Sequence, residues 1–415
     1  MPHSPDFDVI IVGARVAGSA AAIMLAHAGL RVMLADKAAF PSDTISTHIV
    51  LSGGTQVLKR IGALEHLVRA GGFRFGCMRT VGPGFDFRGQ LFAAGEDLRG
   101  LCLGREKMDS VMIDLARSFE SVSIRENFRV TALAIEDGAV AGVRDENGIE
   151  FHAPLVIGAD GMRSTVARIA EERIGAFRRS DVPCARAYYY AYFEGVSPDR
   201  LGDDLITEFE ASPGSGNLVC RCEDGRVVAA AAFDANEMRS FRTDLAANLG
   251  HHLAASLAVG EMLDDATMIS KVRSSGLLNN TYRVPVTDGA MLLGDAGLHV
   301  DPLFGQGHSM ALISAEIACQ LAPQWFSQRT GNAISAGAMA SFTTRRDEVL
   351  MPHFRSSERA SRDLALSETA LAAYRAASRE QWAADEMTRF AQMIHGVKFP
   401  SFRFARLMAR EARAA

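Results

Sequence analysis

The sequence predicts an α/β protein: a discontinuous, Rossmann-like dinucleotide-binding domain, an inserted and mostly antiparallel β-sheet domain, and a helical C-terminal tail. Three observations predict it. Near the start, a glycine-containing turn joins a buried apolar run to a helix of small residues. Between about residues 185 and 272 the texture changes to short β-type runs separated by turns. From residue 351 onward Ala, Arg and Glu dominate with helical periodicity. A chain of 415 residues exceeds the size at which one core usually splits. The expected division is 1–75, 98–180 and 276–345 for the nucleotide domain, 76–97 and 181–275 for the sheet domain, and 346–415 for the tail.

Residues 8–12 form a continuous apolar run with β-branched members, as a buried parallel strand requires. Residues 18–28 (GSAAAIMLAHA) are helix formers with a small-residue face. Gly29 ends that helix, and residues 30–35 return as a second strand closed by Asp36. This is one βαβ unit, right-handed by the crossover rule. Residues 53–62 and 105–117 read as helices, and 155–159 (LVIGA) as another buried strand before Asp160-Gly161. In the middle block, residues 188–193 (YYYAYF) and 217–233 read as strands, with turns at 212–216 and 223–225. Residues 236–263 read as a helix beneath that sheet. A buried strand recurs at 290–294, followed by an apolar helix at 309–321.

Composition is that of an ordinary globular protein, 48% hydrophobic and 22% charged. The net charge of −5 supplies no basic field for nucleic acid or anionic lipid. Six scattered cysteines give neither a disulfide framework nor paired zinc knuckles, so reduced thiols, no metal and a cytoplasmic setting are expected. The apolar opening lacks a basic leading segment and is interrupted by Arg15. No window is long and apolar enough to span a membrane, so no integral membrane segment is expected.

Three motifs carry chemistry. In Gly13-Ala14-Arg15-Val16-Ala17-Gly18, Gly13 suits a tight turn and Gly18 close helix–strand packing. The helix N-terminus that follows offers free N–H groups to a phosphate. Asp36, about twenty residues on, is placed to accept ribose hydroxyls. It would repel a phosphorylated ribose, so an unphosphorylated ADP moiety, as in FAD or NAD, is expected. Arg15 stands where the fingerprint usually has its middle glycine; its guanidinium is expected outside the turn, on a phosphate or bracing the loop around Asp295. In Gly158-Ala159-Asp160-Gly161, Asp160 either holds a polar group of a cofactor or caps the next helix. Gly294-Asp295 ends a further buried strand, and Asp301-Pro302-Leu303-Phe304-Gly305-Gln306-Gly307-His308-Ser309 feeds a helix whose positive end faces that loop.

Taken together, in this order and spacing, these motifs resemble the FAD-dependent monooxygenase family whose archetype is para-hydroxybenzoate hydroxylase, over about residues 6–321. The resemblance assigns the FAD-binding set as Gly13, Ala14, Arg15, Ala17, Gly18, Asp36 and Lys37 around the ADP. It adds Thr47 and His48 beside the ring, Arg105 near the pyrophosphate and ribitol, Val130, Asp160 and Gly294, and Asp295 on a ribitol hydroxyl. Pro302, Gly305, Gln306, Gly307, His308 and Ser309 would face the flavin pyrimidine edge. The wording of residues 13–19 and 40–48 is similar to a bacterial tailoring-enzyme branch that includes halogenase relatives and geranylgeranyl-reductase-like flavoproteins.

The resemblance implies one oxygen atom transferred from O2, through a flavin C4a-hydroperoxide, to a small hydrophobic substrate of aromatic or polyketide type. His48 and Thr47 are the catalytic candidates, with His299 the second histidine near the flavin. Tyr188, Tyr190 and Tyr192, which share one strand face, and Phe304 are candidates for the pocket. A single fingerprint implies that electrons come from transient NAD(P)H or a partner flavin reductase. The protein is expected to be a monomer or homodimer. A flavin-dependent halogenase and a double-bond reductase are the alternatives. Against them stand the missing Trp-x-Trp-x-Ile-Pro motif, the absence of lysine in residues 73–84, and Val219-Cys220-Arg221-Cys222 in place of an aromatic signature.

Overall fold

The computed structural model describes residues 5–46, 48–93, 95–210, 214–329 and 331–414. Strand Val9–Val12 is wholly buried within a six-stranded sheet. The order is Val286–Thr287, Ala290–Leu292, Leu155–Gly158, Val9–Val12, Val32–Ala35 and Val122–Arg125. Only the first two strands pair antiparallel. The other pairings are parallel, as unbroken Val/Ile/Leu runs demand. Helix Val16–His27 covers one face of this sheet and packs on helix Gly307–Ser327 from the far end of the domain.

The first turn shows which glycines the backbone needs. Gly13 has φ +105°, and a Cβ there would lie 2.4 Å from the Ala159 carbonyl oxygen. At Gly18 an added Cβ would lie 1.8 Å from the Gly13 carbonyl oxygen. Arg15, the helix N-cap, has φ −83° and ψ −164°, an extended conformation open to any L-residue. The turn therefore requires glycine at 13 and 18 and tolerates arginine at 15.

The middle sheet is built around Arg186–Glu194, which pairs antiparallel with Val227–Asp234. Gly216–Arg221 and Asp204–Phe209 follow antiparallel. Cys77–Gly82 then joins parallel and carries its hairpin partner Phe85–Gln90. Side-chain alternation splits the tyrosines. Tyr189 and Phe193 pack among the covering helices, while Tyr190 and Tyr192 join the core shared with the nucleotide domain. The single helix expected over 236–263 is three: Met238–Phe241, Leu245–Ala255 and Leu257–Leu263. Extended Ser256 (ψ 142°) separates the last two, and the Glu208 carboxylate accepts the N–H groups of Leu257, Ala258 and Val259 at 2.8, 3.0 and 3.0 Å.

The tail comprises helices Ala336–Arg362, Glu368–Arg379, Gln381–Ala391 and Phe402–Ala414. Ser335 and Ser367 cap the first two. The second and third cover the sheet's outer strand, where Phe85 and Phe87 pack with Ala377, Ala384 and Tyr374. They close an edge that would otherwise invite another strand. No helix among the described residues is long and apolar enough to cross a membrane.

Asp301, 1% exposed, joins the three parts. Its Oδ1 accepts the Tyr188 hydroxyl and the Leu303 N–H (2.9 Å). Its Oδ2 accepts Cys184 Sγ at 2.9 Å and Ser361 Oγ at 2.6 Å, with Arg186 Nη1 at 3.6 Å. Replacing Asp301 with Ala would remove the carboxylate that faces the buried Arg186 guanidinium and leave the Tyr188 hydroxyl without its acceptor, and a cost of about 3–5 kcal/mol is expected. Urea unfolding will show it as a fall in midpoint, and Asp301→Asn is expected to cost less because the amide oxygen still accepts.

Candidate active site

A cavity of about 740 Å³ extends from the Gly13 turn to the middle sheet. At its nucleotide end stand Gly13, Arg15, Ala17, Asp36 and Lys37. The Ser19 N–H bonds back to Arg15 O, so the N–H groups of Val16 and Ala17, before the first helical bond, remain for a ligand. Asp36 accepts the Ala14 N–H at 2.8 Å and the Ala38 N–H at 2.9 Å, which fixes its carboxylate at the end of its strand.

Arg15 turns away from Asp295, contrary to the expectation that it braces that loop. Its guanidinium meets Asp109 Oδ2 at 2.5 Å and bonds Ser42 O (3.3 Å), Ser42 Oγ (3.1 Å) and Asp43 O (3.4 Å). It therefore pins the strap that carries Thr44, Ile45 and Ser46 along the cavity. Asp109 is fully buried and also takes Arg105, at 2.9–3.3 Å from three nitrogen–oxygen contacts. Arg105 Nη1 lies 3.1 Å from His308 Nε2, to which the Ser46 hydroxyl is also bonded at 3.1 Å. His308 Nδ1–H donates to Ile49 O at 2.9 Å, leaving Nε2 as the acceptor. Burial and the Arg105 charge hold His308 neutral, its pKa lowered to about 3.

Asp295, Pro302, Gly305, Gly307 and His308 line the other half. No protein group among the described residues bonds the Asp295 carboxylate, so it is free for a hydroxyl. A Cβ at Gly307 would meet nothing, and Met310 N–H, the first to bond back, reaches Gln306 O. The N–H groups of Gly307 and His308 are thus open at a positive helix end. Two helix N-termini, an unpaired carboxylate and two arginines around one carboxylate fit a dinucleotide with a polyol link, which is FAD.

Several expected residues act from behind the wall. Ala14 and Gly18 shape the turn, and Gly294 (φ +54°) packs on Ala17 and Ala311. Gln306 is buried and turned to His353 (3.3 Å) and Ser357 (3.5 Å). Ser309 Oγ accepts the Leu51 N–H at 2.9 Å. Asp160 lines the cavity, yet its carboxylate caps the next helix through Ser164 Oγ (2.5 Å) and Thr165 N–H (2.6 Å), and burial raises its pKa. Val130 lines the nucleotide end beside Phe128, Arg129 and Thr131, which the motif reading missed because they belong to no motif.

On the substrate side, Tyr188 and Tyr190 line the cavity, whereas Tyr192 and Phe304 do not. Thr47 lies outside the described residues. His48 is 1% exposed and off the cavity wall, stacked on Tyr192 at 5.4 Å with its Nε2 bonded to the Tyr192 hydroxyl. Burial first, then the neighbouring His308 and Arg105, lowers its pKa to about 3. The histidines that reach the cavity are His308 and His299.

This fold and site define a flavin-dependent oxidoreductase of the Rossmann type. The chain belongs to the family described as the FAD binding domain, whose model matches residues 6–322. It is 27% identical over 325 residues to digeranylgeranylglycerophospholipid reductase 2 of Methanothermobacter thermautotrophicus, covering 77% of this chain and 78% of that one. It is 25% identical over 328 residues to 6-methylpretetramide 4-monooxygenase of Streptomyces rimosus, covering 75% and 74%. Among solved structures, the flavin-dependent brominase Bmp2 superposes with a TM-score of 0.75 at 17% identity, covering 99% of this chain and 100% of that one.

Two outcomes follow from this geometry. Arg15→Ala frees the strap and leaves Asp109 to Arg105 alone; FAD should still bind, weakened about tenfold, as read by flavin fluorescence titration. An unchanged or tighter affinity would show that Arg15 is only tolerated. Separately, His48 and His308 titrate near 3 when folded and near 6.5 when unfolded. Their contribution to stability is complete above pH 6.5 and is lost as pH falls from there towards 3. Denaturant midpoints should fall across that window, and the fall should be shallower in His48→Asn.

Proposed function

We propose that this protein is an FAD-dependent monooxygenase that transfers one oxygen atom from O2 to a small hydrophobic substrate of aromatic or polyketide type. The observation that carries this reading is the continuity of one cavity from the nucleotide turn, past the free Asp295 carboxylate, to the ring faces of Tyr188 and Tyr190. When bound, FAD supplies the electron storage and the reaction with O2.

The chain's own groups do the rest. The Val16 and Ala17 N–H groups receive phosphate, and Asp295 orients the linking polyol. The Gly307–His308 helix end stabilises negative charge against it. Tyr188 and Tyr190, with the strap residues Thr44 and Ile45, keep water from the reacting end. The Tyr188 hydroxyl is already committed to Asp301, so Tyr188 presents ring surface. Electrons come from NAD(P)H bound transiently or from a partner reductase, in the cytoplasm.

A halogenase needs a lysine near the substrate; the cavity's one lysine among the described residues, Lys37, stands at the nucleotide end beside Asp36. The similarity to an archaeal prenyl-lipid reductase favours double-bond reduction as the second reading.

Stopped-flow mixing of photoreduced, FAD-loaded protein with oxygenated buffer separates the three. An oxygenase should give a transient absorbing species before oxidised FAD, insensitive to halide. Halide-accelerated decay of that species would indicate a halogenase. Direct reoxidation with no transient would overturn both and leave the reductase.

A further inference from the structure

The imidazoles around the cavity differ in which nitrogens are in use. His48 gives Nε2 to Tyr192, and its Nδ1 is sealed in the interior without a partner. His308 uses Nδ1 on Ile49 O and Nε2 on Arg105 and Ser46. His299 alone among these three uses one nitrogen and opens the other. Its Nδ1 lies 2.6 Å from Asn279 O, so Nδ1 carries the hydrogen and Nε2 carries a lone pair. Nε2 bonds no protein group, and the residue lines the cavity.

Its position is equally specific. Strand Leu298–His299 pairs with Asn280–Arg283. Asn279, which fixes the ring, follows Leu278, itself a wall of the cavity. His299 thus stands where the nucleotide domain meets the sheet domain. Asp295, the carboxylate with no partner among the described residues, sits beside Gly294, which lies against Ala17 and Ala311 on the nucleotide side. Tyr188 and His308 have their polar atoms bonded, and burial raises the pKa of the Tyr190 hydroxyl, which keeps it protonated and leaves it a poor proton acceptor.

We propose that His299 is a catalytic residue of this cavity: Nε2 accepts the proton of an acidic hydroxyl on the substrate. The inference rests on the cavity being the substrate site of the oxygenase reading. The substrate O–H bond breaks and Nε2–H forms. The electron pair stays on the substrate oxygen, and the imidazolium keeps its Nδ1–H bond to Asn279. The proton returns to the same oxygen when product forms. The anion raises electron density on the substrate, which an electrophilic oxygen donor requires, and a neutral hydrocarbon substrate would leave this lone pair unused.

Two measurements on the FAD-loaded protein test it, and neither involves oxygen. Diethyl pyrocarbonate should acylate His299 about tenfold faster than His48 or His308, the factor set by breaking one hydrogen bond; equal or slower labelling of His299 overturns the open Nε2. 4-Nitrophenol, added below its own pKa, should bind as the coloured phenolate, with its pKa lowered by about one unit. In His299→Gln the bound probe should revert to the neutral phenol. The same phenolate fraction in the variant overturns the role of His299, and no binding of the probe overturns the acidic-hydroxyl class. Failure of the oxygenase reading appears instead in the stopped-flow transient, so the two are distinguishable.

Discussion

Asp301 places a negative charge at 1% exposure, where an unpaired carboxylate would be costly, and the fold meets it from three directions. Arg186, Cys184 and Tyr188 come from the sheet domain, Ser361 from the tail helix, and Leu303 from the loop that begins at Asp301 itself. That loop continues through Gly305 (φ +62°) into helix Gly307–Ser327, whose first N–H groups face the cavity. The direction of the helix end, the tilt of Tyr188 and the seating of the tail therefore share one anchor. Burying the carboxylate with five partners makes the anchor specific, because no alternative packing satisfies them all.

A second shared carboxylate organises the other end. Asp109 accepts both Arg15 and Arg105, so the nucleotide turn, the strap at residues 42–46 and helix Arg105–Arg117 are tied together through one carboxylate. Two guanidinium groups against one carboxylate leave a surplus positive charge along the cavity. His308 adds no charge, since burial and Arg105 hold it neutral, and its Nε2 instead orients Arg105. The site thus favours a dianionic link through geometry and a modest net charge, in a chain whose total charge is negative.

Much of this was legible along the chain. Gly13, Gly18, Asp36, Arg105, Asp295 and the 301–309 loop stand at turns and strand ends whose signals are local: a glycine that must be glycine, an apolar run, an acidic terminus. The alternation of Tyr188, Tyr190 and Tyr192 with Tyr189 was legible for the same reason, a period of two. Less legible was the direction of each side chain once its backbone was placed. Gln306 and Ser309 belong to the loop but turn inward to His353 and Leu51. Asp160 spends its carboxylate on a helix cap.

The histidines mark the division most clearly. Sequence by itself determined a βαβ nucleotide turn, two later acidic strand ends and an inserted sheet, because each rests on periodicity and backbone conformation within a few residues; that they meet at one site was implied by the family resemblance. That Arg15 does not break the turn was decided by the structure, where its φ of −83° needs no glycine. Only the tertiary structure decided that His48 is shut between Tyr190 and Tyr192 while His299 opens on the cavity. The partners of an imidazole come from a strand more than a hundred residues away in the one case, and from Asn279, twenty residues earlier in the chain, in the other. Burial and hydrogen bonding by such distant groups set which nitrogen is free, and no local pattern encodes them.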